Sequence, residues 1–485
     1  MLLHFNTGFV HFRLLIVRFV YIQPYCSVGL STFVPSAICR CVMNKKIIIA
    51  LLALLPFQLS AQTSWTLKSC IDYGLKNNRS NTIYANEKRA ADARAKEALA
   101  AYLPSVSLNG TLDDNLKVQQ TIIPAGIFSP TDIRVAFTKK YNTNGVAQLD
   151  QTLYDKSLLN GLKANKFNAQ QADLNQQKND ETIIYNISTA YYQILVYREQ
   201  LDLLKANLDT YRKQMAVSAL QVKKGITLQK DLDKITVDYN NATSQIRVAE
   251  SNQTLAENQL KYEMGYPIAD PLQVENTPAA TTADLPVLID KDAFSVNNRT
   301  DFRLSQVNAK LLEIDESRIK AGIFPKLTAY ARYGAIGFGD NLGPAFSSMT
   351  SYSAVGLKLN FPLFDFFKRN AQYNQAKYKR LNAQETLKLD EGKYQLEYEN
   401  ARTKMLKEQT NVENNRRNIE LARSVFNTTD LQYEKGVTNL TDWLNTQNSL
   451  KEAQNNYLNS LYSFFLAKVD LEKAAGTLKT FYTAL

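Results

Sequence analysis

Histidine is nearly missing from this sequence: its only two, His4 and His11, stand close to the start. The rest of the chain has no base for a Ser/His/Asp triad and no imidazole for a zinc site. Cysteine is also sparse. Cys26, Cys39 and Cys41 precede residue 62, so Cys70 alone remains beyond it and no disulfide can close within that part. No GxxxxGK[ST] or GxGxxG sequence precedes a helix pattern, and Gly337-Phe338-Gly339 resembles an external loop more than a phosphate cradle. Paired acids such as Asp113-Asp114 are common on polar loops. These absences argue against an enzyme, a cofactor and a metal site.

Gly (18) and Pro (13) are few for 485 residues, and charges of both signs are interspersed, which favours long helices. The formal charge is +11, but the first 61 residues hold Arg13, Arg18, Arg40, Lys45 and Lys46 and no acid. Beyond them 52 bases face 46 acids and form no basic run, which excludes nucleic acid as an expected partner.

Met43-Asn44-Lys45-Lys46, the apolar Ile47 to Leu55 and Leu59-Ser60-Ala61 read as the three regions of a signal peptide, residues 43–61, with Gln62 the first mature residue. Residues 1–42 are expected to be an extension from an upstream start codon. Arg13 and Arg18 leave Leu14 to Tyr21 too short for a membrane anchor. No cysteine stands at the cleavage site, which argues against a lipid-anchored amino terminus.

What the chain does contain is a duplication at an offset near 211. Lys224-Gly225-Ile226-Thr227 recurs as Lys435-Gly436-Val437-Thr438, Leu153-Tyr154-Asp155 as Leu363-Phe364-Asp365, and Asn77-Asn78-Arg79 as Asn297-Asn298-Arg299. Residues 62–265 form the first copy, 266–288 a linker, 289–476 the second copy and 477–485 a C-terminal tail. Each copy opens with a helix, Leu67 to Tyr102 in the first, which ends before a proline at Leu103-Pro104 or Phe324-Pro325.

Two alternating runs follow in each copy: Ser105 to Asp113 and Asn144 to Leu153, then Lys326 to Ala335 and Tyr352 to Leu363. The last run places Val355, Leu357, Leu359, Phe361 and Leu363 on one face, a period of two that makes a strand. A polar loop with Pro124, Gly126 and Pro130 separates the first pair, and a Gly-rich loop the second. A soluble sheet packed on one face would show the same alternation.

Next come heptad seams. Ile187, Ala190, Ile194, Tyr197, Leu201, Leu204, Leu208, Tyr211 and Met215 alternate spacings of three and four. Tyr398, Ala401, Met405, Val412, Ile419, Ala422, Phe426 and Tyr433 repeat the register, with polar Glu408, Asn415 and Thr429 on the seam. Asp155 to Lys224 as one helix would reach on the order of 100 Å. Glycines at 225 and 436 suit tight turns into a return helix.

Each copy is thus a strand pair joined to a helical hairpin. Four strands are too few to close a barrel, which needs about eight, and an open edge in lipid leaves backbone groups without partners. Strands that lie in a membrane must therefore be pooled among several chains.

Leu67-Lys68-Ser69-Cys70-Ile71-Asp72-Tyr73-Gly74-Leu75-Lys76-Asn77-Asn78, the Leu103-Pro104 junction, Leu363-Phe364-Asp365 and the run from Tyr433 to Leu444 together resemble the TolC family of outer-membrane efflux proteins. The resemblance covers Gln62 to Thr477. It implies a mainly α fold with membrane β: a homotrimer whose β-barrel, four strands per protomer, sits in outer-membrane lipid and continues as a long α-helical barrel of coiled-coil hairpins. It further implies a periplasmic membrane-fusion adaptor and an inner-membrane pump as partners, and export of small molecules or secreted proteins from a Gram-negative bacterium. The alternative is a periplasmic coiled-coil adaptor or scaffold without a pore, which leaves the strand pairs without a use.

By the same resemblance, Asp442 and Asn445 take the two positions that line the periplasmic aperture, with Asn445 in place of a second acid. Tyr433 matches a residue that links the second hairpin to an acid in the first, and Asp231 matches that acid. Thr438 stands where some relatives carry Arg. The plainer reading makes Tyr433 a seam residue and Asp231 and Asp442 solvated or capping acids at helix starts. Gly225 and Gly436 are expected to form the hairpin tips that contact the adaptor, with Val437 and Leu440 as apolar knobs.

Overall fold

A computed structural model describes residues 64–126, 130–276, 278 and 294–485. The expected extension, the signal peptide and most of the linker lie outside the described residues.

The first half begins with α1 (Leu67–Asn77) and α2 (Arg79–Ala100). A single helix to Tyr102 was expected, but Asn78 leaves the helical region at ψ 130. Its amide donates to the Glu263 carbonyl at 2.7 Å while its Oδ1 accepts from the Ser80 N–H at 2.9 Å. One side chain thus caps the second helix and ties it to a distant one, a role that hydrophobic period does not register.

Then follow β1 (Ser105–Asp114), β2 (Thr121–Ile123), β3 (Ile133–Val135) and β4 (Tyr141–Tyr154). The loop expected between the first pair therefore contains a small hairpin of its own, β2 antiparallel to β3. Next come α3 (Lys156–Leu162), α4 (Ala164–Lys223) and α5 (Gln229–Met264). Asp155 caps α3 by accepting from the Leu158 N–H at 3.0 Å. The expected single helix is interrupted at Lys163, where Gly161 lies so close to Arg318 that an added Cβ would meet its Cδ at 3.2 Å. The 60 residues of α4 still run for about 90 Å.

The second half passes through the same order: α6 (Thr300–Ala321), β5 (Lys326–Gly339), α7 (Leu342–Ser347), β6 (Met349–Asn360), α8 (Lys368–Glu434) and α9 (Leu440–Ala475). The helices α2 and α6 each have 22 residues, and α5 and α9 each have 36. The C-terminal tail contains α10 (Leu478–Ala484), docked by buried Leu478 and by the Tyr482 hydroxyl on Asp72.

Sheet order is β1-β4-β5-β6, antiparallel throughout. Register places Val106, Leu108, Ala147, Leu149, Leu357 and Leu359 on one face, and Ser107, Asn109, Gln148, Asp150, Arg332 and Lys358 on the other. Except at the β5–β6 end, where α7 packs against Gly337 and Gly339, the apolar face has no packing partner among the described residues: Leu108 is 82% exposed and Val355 84%. The fourth strand stops at Asn360, so Phe361 and Leu363, expected within it, lie beyond it. Pro362 has no N–H for a ladder, and no strand lies on that side to hold the extension.

Burial is concentrated in the helices. Ile187, Ile194 and Tyr211 of the first seam and Met405, Phe426 and Tyr433 of the second share one cluster. Tyr192 stacks on Phe465 with ring centroids 4.5 Å apart, joining α4 to α9. Burial pushes the Cys70 thiol up to about 12, which keeps it protonated and unreactive at neutral pH.

Candidate functional site

Both long helices end in the same turn. Gly225 (φ 70°) donates to the Val222 carbonyl and Ile226 to that of Gln221, each at 2.9 Å. Gly436 (φ 72°) donates to Tyr433 at 3.0 Å and Val437 to Gln432 at 2.8 Å. This is the paired pattern of a left-handed helix terminus. An added Cβ at either glycine would meet open space, so the requirement is conformational and not steric.

Beyond the glycines the tips differ. Val437 is 75% exposed and Ile226 68%, and Leu228 is exposed as well. Leu440, expected as a second apolar knob, is only 8% exposed and belongs to the buried cluster that contains Trp443. As the first residue of α9 it faces inward on the seam, so the exposed apolar surface comes from Ile226, Leu228 and Val437 instead.

Asp231 and Asp442 occupy matching places, the third residue of α5 and of α9. Asp442 is exposed, and its N–H donates to Asn439 Oδ1 at 2.9 Å. Its Oδ2 accepts from Thr438 Oγ1 and from Asn439 Nδ2, both at 3.0 Å. This reciprocal capping fixes the carboxylate at the positive end of the helix. At α5 the capping position is Leu228, which has no side-chain acceptor, and Asp231 is half-exposed. Asn445 is exposed one turn beyond Asp442 on the same helix.

Tyr433 is buried, with its ring 6.4 Å from that of Trp443. Among the described residues no hydrogen bond joins it to Asp231 within the protomer. Trp443 itself is fully buried, donates from Nε1 to Asp430 Oδ1 at 2.6 Å, and is ringed by Tyr211, Phe426 and Tyr433 at 5.8 to 6.4 Å. Because Tyr211 comes from α4 and the others from α8, Trp443 clamps the two hairpins together just above the tips. Burial, with Asp238 nearby, pushes the Tyr211 phenol up to about 12. Beside the clamp, Asn207 donates to Gln454 at 2.7 Å, a buried polar tie between α4 and α9.

The sequence profile described as outer membrane efflux protein matches residues 75–265 and again 298–477. The chain belongs to the outer membrane efflux protein family. Among curated relatives, the outer membrane protein TolC of Salmonella enteritidis is 21% identical over 344 residues, covering 69% of each chain. The alkaline protease secretion protein AprF of Pseudomonas aeruginosa is 24% identical over 350 residues, covering 68% of this chain and 69% of its own. Of solved structures, the Campylobacter jejuni CmeC outer membrane channel superposes with a TM-score of 0.67 at 15% identity, covering 93% of this chain and 95% of that one.

A member of this family is an outer-membrane protein of efflux or secretion, and the reading as a pore-free periplasmic scaffold has no support. Among the described residues no helix is long and apolar enough to cross a membrane. The strands of this efflux family member expose apolar side chains, Leu108, Val355 and Leu357 among them. The Trp443 clamp escaped sequence reasoning because an aromatic on a heptad pattern reads as core. Its position directly after Asp442, at the start of a return helix, was the available signal.

Proposed function

We propose that the chain is the outer-membrane channel of a tripartite export system, in which three copies, each two duplicated halves, close one barrel from four strands apiece. The α4–α5 and α8–α9 hairpins continue that barrel into the periplasm as a tunnel. A periplasmic adaptor docks at the tips, where Ile226, Leu228 and Val437 are exposed, and an inner-membrane pump supplies the energy. Cargo, small molecules or secreted proteins, is selected by the pump.

One observation carries the reading: over the run of Leu108, Leu149, Val355, Leu357 and Leu359 the sheet has an exposed apolar face, with a polar face behind and open edges at β1 and β6. Such a sheet is stable in a membrane only if lipid meets the apolar face, water the polar one, and another strand each edge.

At the far end, three-fold repetition of Asp442 and Asn445 makes a weakly acidic ring at the aperture. Pore-lining carboxylates attract cations and disfavour anions. In planar bilayers the wild type is expected to conduct with a preference for cations and to be blocked by multivalent cations from the periplasmic side. Asp442→Ala is expected to weaken both the preference and the block. Asn439→Ala, which removes the cap of α9 but keeps the charge, separates loss of the charge from fraying of the helix. Unchanged selectivity and block in Asp442→Ala would remove Asp442 from the pore lining.

A further inference from the structure

Two glycines on the polar face of the sheet lie under tyrosine rings. Tyr330 of β5 is directly opposite Gly356 of β6, and Tyr352 of β6 is opposite Gly334 of β5. The pairs are reciprocal because each strand carries a tyrosine followed four residues later by a glycine, and the strands run antiparallel. A Cβ added to Gly356 would meet the Tyr330 side chain first, its hydroxyl at 2.7 Å and its Cζ at 2.8 Å. One added to Gly334 would meet Tyr352 Cζ and the Gly145 carbonyl oxygen, both at 2.8 Å. Tyr352 reaches across β5, and its hydroxyl donates to Asn144 Oδ1 on β4 at 3.1 Å. The Arg332 guanidinium lies 5.9 Å from the centre of the Tyr330 ring. Both rings therefore lie along the wall, half-buried, instead of standing up from it.

On the apolar face the same residue types behave otherwise. Tyr333, opposite Ala147 and Ser353, is 65% exposed. Gly110 and Gly145, opposite each other on that face, would have nothing within 4 Å of an added Cβ. The first hairpin does not repeat the device either. The strand junctions relate β1 to β5 by 221 positions and β4 to β6 by 210, which puts Asn109 and Asp113 at the places of Tyr330 and Gly334, and Asn142 and Val146 at those of Tyr352 and Gly356. An aromatic ring laid over a strand glycine also shields backbone and pins register. That role alone would not confine both pairs to the face that meets water.

We infer that Gly334 and Gly356 set the clear width of the passage at the level of the sheet, by giving Tyr352 and Tyr330 room to lie flat. About eight strands enclose a space that side chains just fill, and about 16 to 18 leave an open aqueous channel. Three copies of this four-stranded sheet fall between those limits, so the posture of inward side chains decides how much of the interior is open. A flat ring takes up about 3.5–4.0 Å, the thickness of one carbon contact. An upright tyrosine would reach its full length toward the axis. Residues 330 and 334 lie within β5, between its helix-side end at Lys326 and its far end at Gly339, so cargo has to pass the rings.

The inference rests on the channel reading, and the test separates the two. Asn360, opposite Lys326 at the helix side of the sheet, lies on the polar face beyond both tyrosines as seen from outside the cell. In the full-length chain carrying Asn360→Cys, thiol-reactive polymers of graded size applied to intact cells are expected to label the protein up to a size cut-off. The protonated, buried Cys70 leaves a low background. Gly356→Ala is expected to lower the cut-off by turning Tyr330 into the passage, and the further change Tyr330→Ala to restore it. Gly334→Ala, without and with Tyr352→Ala, makes the same comparison should the first glycine variant fail to assemble. If the rings only stiffened the sheet, removing Tyr330 would not reopen the passage. An unchanged cut-off in assembled Gly356→Ala protein, or a lowered one that Tyr330→Ala leaves lowered, overturns the inference. Failure of even a small maleimide to label Asn360→Cys from outside overturns the channel reading itself.

Discussion

Replacing Trp443 by Ala is expected to loosen the tip half of both hairpins while leaving the sheet intact. The side chain is fully buried, touches three rings from two helices and satisfies Asp430. Removing a large buried aromatic costs about 3–5 kcal/mol, and Asp430 loses its donor as well. The loss should be local, since the tips lie far along helices of roughly 90 Å and more. Hydrogen exchange would show it as faster exchange over the tip halves of α4, α8 and α9, with the sheet and α1 unchanged. Trp443→Phe keeps most of the volume and loses the hydrogen bond, a smaller cost of about 1–3 kcal/mol. Wild-type protection at the tips of Trp443→Ala would show that the clamp holds nothing.

The second large effect concerns the apolar face. Leu357 lies within β6 on the side where Leu359 and, across the sheet, Leu108 and Leu149 are exposed. If lipid covers that side, Leu357→Arg is expected to cost about 2–4 kcal/mol near the bilayer midplane. It should appear as a loss of heat-resistant multimer and a lower level in the outer-membrane fraction. Gln148→Arg places the same charge on the opposite face, where water is expected, and should assemble nearly as wild type. Equal tolerance of arginine at both positions would contradict the assignment of the faces.

Much of this architecture is written in periodicity. Ile187 to Met215 and Tyr398 to Tyr433 announce the long helices because heptad spacing is a property of the chain alone, and the alternation of Val355, Leu357 and Leu359 announces a strand for the same reason. Where the structure departs, the deciding contact comes from elsewhere in the chain. Asn78 breaks a helix because the Glu263 carbonyl accepts its amide. Leu440 turns inward because the Trp443 cluster offers it a place. The docked end, α10, depends on Asp72 and Asp180, some 300 and more residues away.

Of the tip residues, the glycines were legible because only a left-handed turn explains Lys-Gly twice at a fixed offset. The roles of Asp442, Asn445, Asp231 and Tyr433 were not, because an acid at the third position of a helix satisfies capping chemistry and pore chemistry equally. Which one it serves depends on what stands opposite in another copy of the chain. Strand pairing raises the same issue: β1 and β6 read as ordinary strands, and their purpose emerges only when their open edges are considered together.

Electron microscopy of the purified, detergent-solubilised protein, viewed along the helix axis, tests the central claim most directly. Three chains around a continuous water-filled lumen, walled by the sheets at one end and by the α4–α5 and α8–α9 hairpins at the other, is the result expected. A stable single chain, or an assembly whose sheets pack face to face with no lumen between them, would contradict it.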